Sequence, residues 1–136
     1  MLDLQSIFSQ DGLLSAAIPG FHVRSQQLEM AQAIADSIEK HSVLVAEAGT
    51  GTGKTVAYLV PALLLGGKVI ISTGTKTLQD QLFNRDIPMV RSALKLPVSI
   101  ALLKGRANYI CHYHLERSVQ ETHRSFANLD EIKYLQ

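Results

Sequence analysis

The octapeptide Ala48-Gly49-Thr50-Gly51-Thr52-Gly53-Lys54-Thr55 restricts the folds open to this chain more than any other segment. It leaves Val43-Leu44-Val45-Ala46, which reads as a short strand buried on both faces, and enters Lys54–Leu65, which reads as a helix. Three glycines let the backbone wrap so that successive N–H groups converge on one anion. The amino end of the following helix adds partial positive charge. In such a loop Lys54 is expected to reach the β- and γ-phosphates of a nucleotide, and the Thr55 hydroxyl to ligate Mg²⁺. The strict pattern opens on Gly, where this chain has Ala48. A chance Gly-rich turn with Lys-Thr would not come with a strand before it and a helix after it.

The surrounding periodicity predicts an alternation of strands and helices. Asp11 is placed to cap a short helix running to Ala17, ended by Pro19-Gly20. From Ser25 to Lys40, Leu28, Ala31, Ala35 and Ile38 recur at steps of 3 and 4 and predict a helix with one buried face. Pro61 falls inside the helix after the loop and is tolerated there or bends it. Lys68–Thr73 is predicted as a second strand, Lys76 to about Asp86 as a helix that Pro88 breaks or restarts, and Ser99–Leu103 as a third strand. The tail from His112 reads as a polar helix. This order predicts an α/β fold, a parallel sheet with flanking crossover helices. Ligands gather beyond the carboxyl ends of such strands, where the motifs of this chain fall.

Composition sets outer bounds. With 136 residues, 46% apolar and 18% charged, the chain can build one core and is not a disordered polyelectrolyte. No apolar run approaches the roughly 18 residues of a membrane span. Met1–Gln10 lacks the basic cluster and apolar stretch of a signal peptide. A single cysteine, Cys111, makes no internal disulfide and suits a reducing cytoplasm. The formal charge of +1 hides an asymmetry: residues 1–67 carry 3 basic and 6 acidic side chains, and 68–124 carry 9 and 4. A basic second half is compatible with phosphate backbones.

Further candidates need weighing against plainer roles. A Gln amide both donates and accepts, so Gln27 can pair with the N6/N7 edge of adenine, with Arg24 in support; alone, Arg24-Ser25-Gln26-Gln27 would read as a solvated helix start. Cys111, His112, His114 and His123 do not have the paired spacing of a zinc site. Cys111 has no assignable partner for nucleophilic chemistry. Leu63-Leu64-Leu65 reads as core.

Four segments then occur in a telling order: Arg24-x-x-Gln27, Glu47-Ala-Gly-Thr-Gly-Thr-Gly-Lys-Thr55, Ile71-Ser-Thr-Gly-Thr-Lys-Thr-Leu-Gln-Asp-Gln-Leu82 and Lys104-Gly-Arg-Ala-Asn-Tyr-Ile-Cys111. From about Asp11 to Cys111 the chain resembles the amino-terminal part of the XPD/DinG-type superfamily 2 iron–sulfur DNA helicases, and the last segment narrows the resemblance most. It implies a RecA-like P-loop domain, here an incomplete first motor domain over residues 1–110, with 111–136 beginning an iron–sulfur insertion. It implies ATP and Mg²⁺ as cofactors, single-stranded DNA as partner and 5′→3′ movement. Arg24, Gln27 and Ala48–Thr55 would hold nucleotide. Thr73, Gly74, Thr75 and Lys76 would grip the DNA backbone, through hydroxyls and N–H groups that do not read sequence; helix capping by Thr73 or Thr75 can hold at the same time. Lys104 and Arg106 would contact DNA or the insertion. Tyr109 can stack on a base or pack in the core. Cys111 would be the first of four ligands of a [4Fe–4S] cluster.

A motor also needs an acidic pair at a strand end for Mg²⁺ and water. Asp80 and Asp86 fall on a helix, Glu116 and Glu121 on the polar tail, and Asp130-Glu131 follows no apolar strand. The acidic box, the second motor domain and three cluster cysteines are not in this sequence. The chain is therefore expected to be an amino-terminal piece, inactive in hydrolysis by itself. The alternatives are a small P-loop kinase, although the tail offers only Arg117 and Arg124 for a lid, and a non-catalytic ATP- or DNA-binding module.

Overall fold

A computed structural model describes residues 3–122. Contacts divide the chain into two compact units, Met1–Ile100 and Ala101–Gln136, each described by itself.

The first unit is built on helices. α1 (Leu4–Phe8) is capped by the Asp3 carboxylate, which accepts from Ser6 N–H. α2 (Leu13–Ala17) starts from Gly12, not from the Asp11 cap expected, and that N-cap makes no side-chain bond. The reason is steric. A Cβ on Gly12 would overlap the carbonyl oxygens of Ser6 and Ile7, so the short link between α1 and α2 admits only glycine there. Leu4, Ile7 and Phe8 of α1 and Leu14 of α2 are buried, and Phe8 meets Phe21 in a tilted pair with centroids 6.5 Å apart.

α3 (Ser25–Glu39) and α4 (Lys54–Leu64) follow the predicted spans closely and pack against each other. Their buried faces carry Ala31 on α3 and Ala57, Leu59 and Val60 on α4, with Leu28 and Ala35 partly buried beside them. Pro61 is buried within α4, which continues to Leu64. Of Leu63-Leu64-Leu65, read as core, Leu63 and Leu64 pack on the core, while Leu65 at the helix end is exposed.

The helix expected over Lys76–Asp86 does not break before Pro88. α5 (Lys76–Gln81) passes through a π-turn (Leu82–Asp86) directly into α6 (Ile87–Leu94). Ile87 N–H reaches back to Leu82 O, five residues earlier. The wider turn accommodates Pro88, which has no N–H to donate and would crowd the carbonyl four residues before it in a regular helix. Val90, Ala93 and Leu94 complete the core. α6 then ends on Lys95 in the left-handed region, with Leu96 N–H bonded to Arg91 O.

The sheet is where expectation and structure part. Val43–Ala46, Lys68–Thr73 and Ser99–Leu103 form no strand ladder among the described residues. Val43, Val45 and Ile70 are more than 90% exposed, at 92%, 94% and 95%. A parallel sheet is stable when both faces are covered. Here Ile71 packs against the helical core, whereas all four residues of Val43–Ala46 are exposed.

In the second unit, a 3₁₀ turn (Arg106–Asn108) precedes α7 (His112–Thr122). α7 agrees with the polar helix expected from His112. No helix among the described residues is long and apolar enough to cross a membrane.

Replacing Gly12 with Ala is expected to destabilise the fold by about 1–3 kcal/mol, the usual range for forcing a methyl group into a filled site. Urea unfolding checks this; an unchanged midpoint would contradict the close approach of α1 and α2.

Candidate functional site

The phosphate loop takes its shape from its glycines. Gly51 (φ +79°) and Gly53 (φ +81°) lie in the left-handed region, which costs a residue with a Cβ about 1–2 kcal/mol. Gly53 is also the N-cap of α4, and its carbonyl receives Ala57 N–H at 3.2 Å. The chain therefore turns from loop to helix at Lys54, as the motif predicts. Thr52 Oγ1 donates to Gly49 O at 3.0 Å and ties the loop across itself. Lys54 Nζ donates to Ala48 O and Gly49 O, both at 2.7 Å, so the ammonium lies under the entry of the loop. Two of its three N–H bonds are used on backbone.

The start of α3 comes to the same place. Gln27 is 4% exposed and its Nε2 donates to Gly53 O at 2.9 Å. Its Oε1 is buried with no hydrogen-bond partner. A Cβ on residue 53 would overlap the Gln27 amide. Arg24, exposed at the N-cap of α3, donates from Nη1 to Gly51 O. The expected adenine reader Gln27 and its supporting Arg24 are thus joined to the loop, 26 and 27 residues away in sequence.

Thr55, the expected Mg²⁺ ligand, is half-buried on the first turn of α4. Tyr58, one turn further on, has its hydroxyl pKa raised from 10.0, chiefly by burial; hydrogen bonding with Thr55 pulls it down, and the charge of Asp86 pushes it up. Sequence reasoning missed this neighbour of Thr55, although the spacing of three residues on a helix could have found it. It also set Asp86 aside as a residue on a helix and not at a strand end. The structure buries that carboxylate to 4% exposure, with Gln81 Nε2 and Arg85 Nε each at 2.8 Å.

The Thr73–Lys76 segment forms its own turn at the start of α5. Thr75 Oγ1 accepts from Leu78 N–H at 3.2 Å, which is the capping role, and Thr73 Oγ1 donates to Thr75 O at 3.2 Å. Gly74 and Lys76 are exposed. In the second unit, Lys104 N–H donates to the Tyr109 hydroxyl at 2.9 Å, and the Tyr109 side chain is 53% exposed, which disagrees with packing into the core. Arg106 is exposed on the 3₁₀ turn. Cys111 is exposed and free. His112 and His114 are exposed on α7, and His123 lies outside the described residues.

The donor sets can be tested against the implied groups. Mg-nucleotide fits: the loop has left-handed glycines, an ammonium at its mouth, a hydroxyl on the next residue and an orphaned buried acceptor on Gln27. An iron–sulfur cluster does not fit this chain. Such a cluster takes four thiolates, the sequence contains one cysteine, and no group of three or more His, Cys, Asp or Glu side chains that could hold a metal ion occurs among the described residues.

A loop with two left-handed glycines thus opens α4, and a Gln and an Arg from α3 are hydrogen-bonded to its carbonyls. Residues 25–129 match the DEAD/DEAH box helicase family, and the chain belongs to that family. The RecA-like fold follows from this membership, not from a sheet in the structure.

Among individual proteins, the chain is 57% identical over 118 residues to the ATP-dependent DNA helicase YoaA of Haemophilus influenzae, a match covering 87% of this chain and 18% of the relative. It is 59% identical over 110 residues to the YoaA of Escherichia coli, covering 81% and 17%. To the ATP-dependent helicase DinG of Mycobacterium tuberculosis it is 46% identical over 112 residues, covering 76% and 17%. These relatives agree with the DinG/XPD-type resemblance and leave no place for the kinase alternative. The chain spans less than a fifth of their length. No solved structure matches the chain.

Because the Gln27 amide and a Cβ at residue 53 compete for one space, the two sites are expected to be coupled. Gly53→Ala alone should destabilise the fold, and the loss should shrink by about 0.5–1 kcal/mol when Gln27→Ala removes the overlap. A double-mutant cycle by denaturant unfolding measures this, and strict additivity would argue against the contact.

Proposed function

We propose that this chain is the ATP-binding front of the first motor domain of a DinG/XPD-type DNA helicase, which in its complete form couples ATP hydrolysis to 5′→3′ movement on single-stranded DNA. The observation that carries the reading is the loop from Ala48 to Thr55, with Gly51 and Gly53 left-handed and Lys54 at the helix start. Family membership and the helicase names of the relatives support it.

In this reading the Lys54 ammonium exchanges two backbone carbonyls for β- and γ-phosphate oxygens. Backbone N–H groups of the Gly49–Gly53 stretch and the start of α4 supply the remaining anion contacts. Thr55 offers its hydroxyl to Mg²⁺, which neutralises phosphate charge. The buried Oε1 of Gln27 accepts from the N6 amino group of adenine, which supplies the missing partner of that atom. Thr73, Gly74, Thr75 and Lys76 contact the DNA backbone, with Thr75 also capping α5. Within the second unit, Lys104 and Arg106 contact DNA or the insertion. Residues 1–110 belong to the motor domain and 111–136 to the start of the insertion, where Cys111 would be one of four cluster ligands contributed by a longer protein working in the cytoplasm.

The sequence has no acidic pair placed to hold Mg²⁺ and orient water, so the 136 residues are expected to bind and not turn over. Calorimetric titration should show saturable Mg-ATP binding, weakened at least tenfold by Lys54→Ala, as expected for loss of a charged hydrogen-bonding group. Robust DNA-stimulated ATP hydrolysis by the same chain, lost in Lys54→Ala, would disprove the non-hydrolytic part. Absence of saturable binding by the folded chain would remove the nucleotide reading itself.

A further inference from the structure

The Arg24 contact is unlike that of a base reader. Its guanidinium donates to the carbonyl of Gly51, a residue inside the phosphate loop. Gly51 has φ +79°, and a Cβ there would meet nothing within 4 Å, so nothing packs against its α-carbon on that face. Thr52 N–H belongs to the same peptide unit as Gly51 C=O. No cis peptide bond occurs among the described residues, so the two groups point to opposite sides of one plane. A donor that fixes the carbonyl therefore fixes the direction of Thr52 N–H, away from Arg24. Gln27 acts similarly one residue pair further on, donating to Gly53 O at 2.9 Å. That carbonyl already receives Ala57 N–H, so its plane is set by the helix and Gln27 only reinforces it. Gly51 has no such helical partner.

We infer that Arg24 is a positioning residue for the phosphate cradle: it sets the Gly51–Thr52 peptide plane so that the Thr52 amide is presented to a polyphosphate, independently of the base. This rests on the nucleotide-binding reading of the loop. It also separates the roles of two neighbours on α3, with Gln27 Oε1 facing the base and Arg24 acting only through the loop. Arg24 is exposed at the N-cap of α3, outside the core, so its replacement leaves the packing of α3 on α4 intact.

Binding of inorganic tripolyphosphate, Mg-ATP and Mg-GTP to the full chain tests this in the wild type, Arg24→Ala, Arg24→Lys and Gln27→Ala. Salt of about 0.5 M screens the long-range pull of a cation to a few ångströms. Arg24→Ala is expected to weaken all three ligands by a common factor of about ten, the scale of a lost charged hydrogen bond, leaving the ATP-to-GTP ratio unchanged. Arg24→Lys, which keeps a charged donor, should recover most of the loss. Gln27→Ala should mainly lower the ATP-to-GTP ratio. In ¹⁵N spectra the Thr52 amide should shift on adding tripolyphosphate to the wild type and shift less in Arg24→Ala. Unchanged tripolyphosphate affinity in Arg24→Ala overturns the inference, whether or not ATP binding falls, because the effect would then lie at the base or nowhere. A wild-type chain that is folded and binds none of the three ligands overturns the nucleotide reading, and this inference with it.

Discussion

The seam between α3 and α4 is the contact on which the first unit depends. Both helices contribute alanines at full burial, Ala31 and Ala57, which lets their backbones run close together. At the amino ends of the two helices this closeness becomes chemistry: the amide of Gln27 enters the space that a side chain at residue 53 would occupy. Gly53 is therefore required twice, by its left-handed backbone and by its neighbour. The phosphate loop inherits its position from this seam, since its exit is the first turn of α4.

A second consequence concerns the loop itself. A polyphosphate cradle is made of N–H groups, and each N–H aimed inward leaves a carbonyl aimed elsewhere. Here four of those carbonyls have side-chain partners. Lys54 takes Ala48 and Gly49, Thr52 also takes Gly49, Arg24 takes Gly51 and Gln27 takes Gly53. The loop is thus braced by side chains from within and from α3. Membership of the DEAD/DEAH box helicase family supports the proposed nucleotide role of this arrangement. The proposed motor role also uses the Thr75-capped turn of the same unit.

The continuous passage from α5 to α6 shows how a local rule can be satisfied in an unforeseen way. Pro88 demands that a regular helix stop or bend. The π-turn over Leu82–Asp86 meets the demand by shifting the hydrogen-bond register, with Ile87 N–H reaching Leu82 O. The same turn carries Asp86 into the interior, where Gln81 and Arg85 satisfy its carboxylate. No pattern of residue types distinguishes this outcome from a helix break, because both remove the same clash.

What the residues determined by themselves was local. Apolar spacing set α3 and α4, left-handed glycines and Lys-Thr set the phosphate loop, and the order of four motifs pointed to the helicase family, because each depends on neighbours within a few positions. The tertiary structure decided what depends on distant neighbours. It gave Arg24 and Gln27 backbone partners in the loop, buried Asp86, and put glycine rather than Asp11 at the start of α2. It also left Val43, Val45 and Ile70 open to solvent without a ladder. A strand's own residues establish that it is apolar and extended, but pairing and coverage come from other elements, and a parallel sheet exists only where both are supplied.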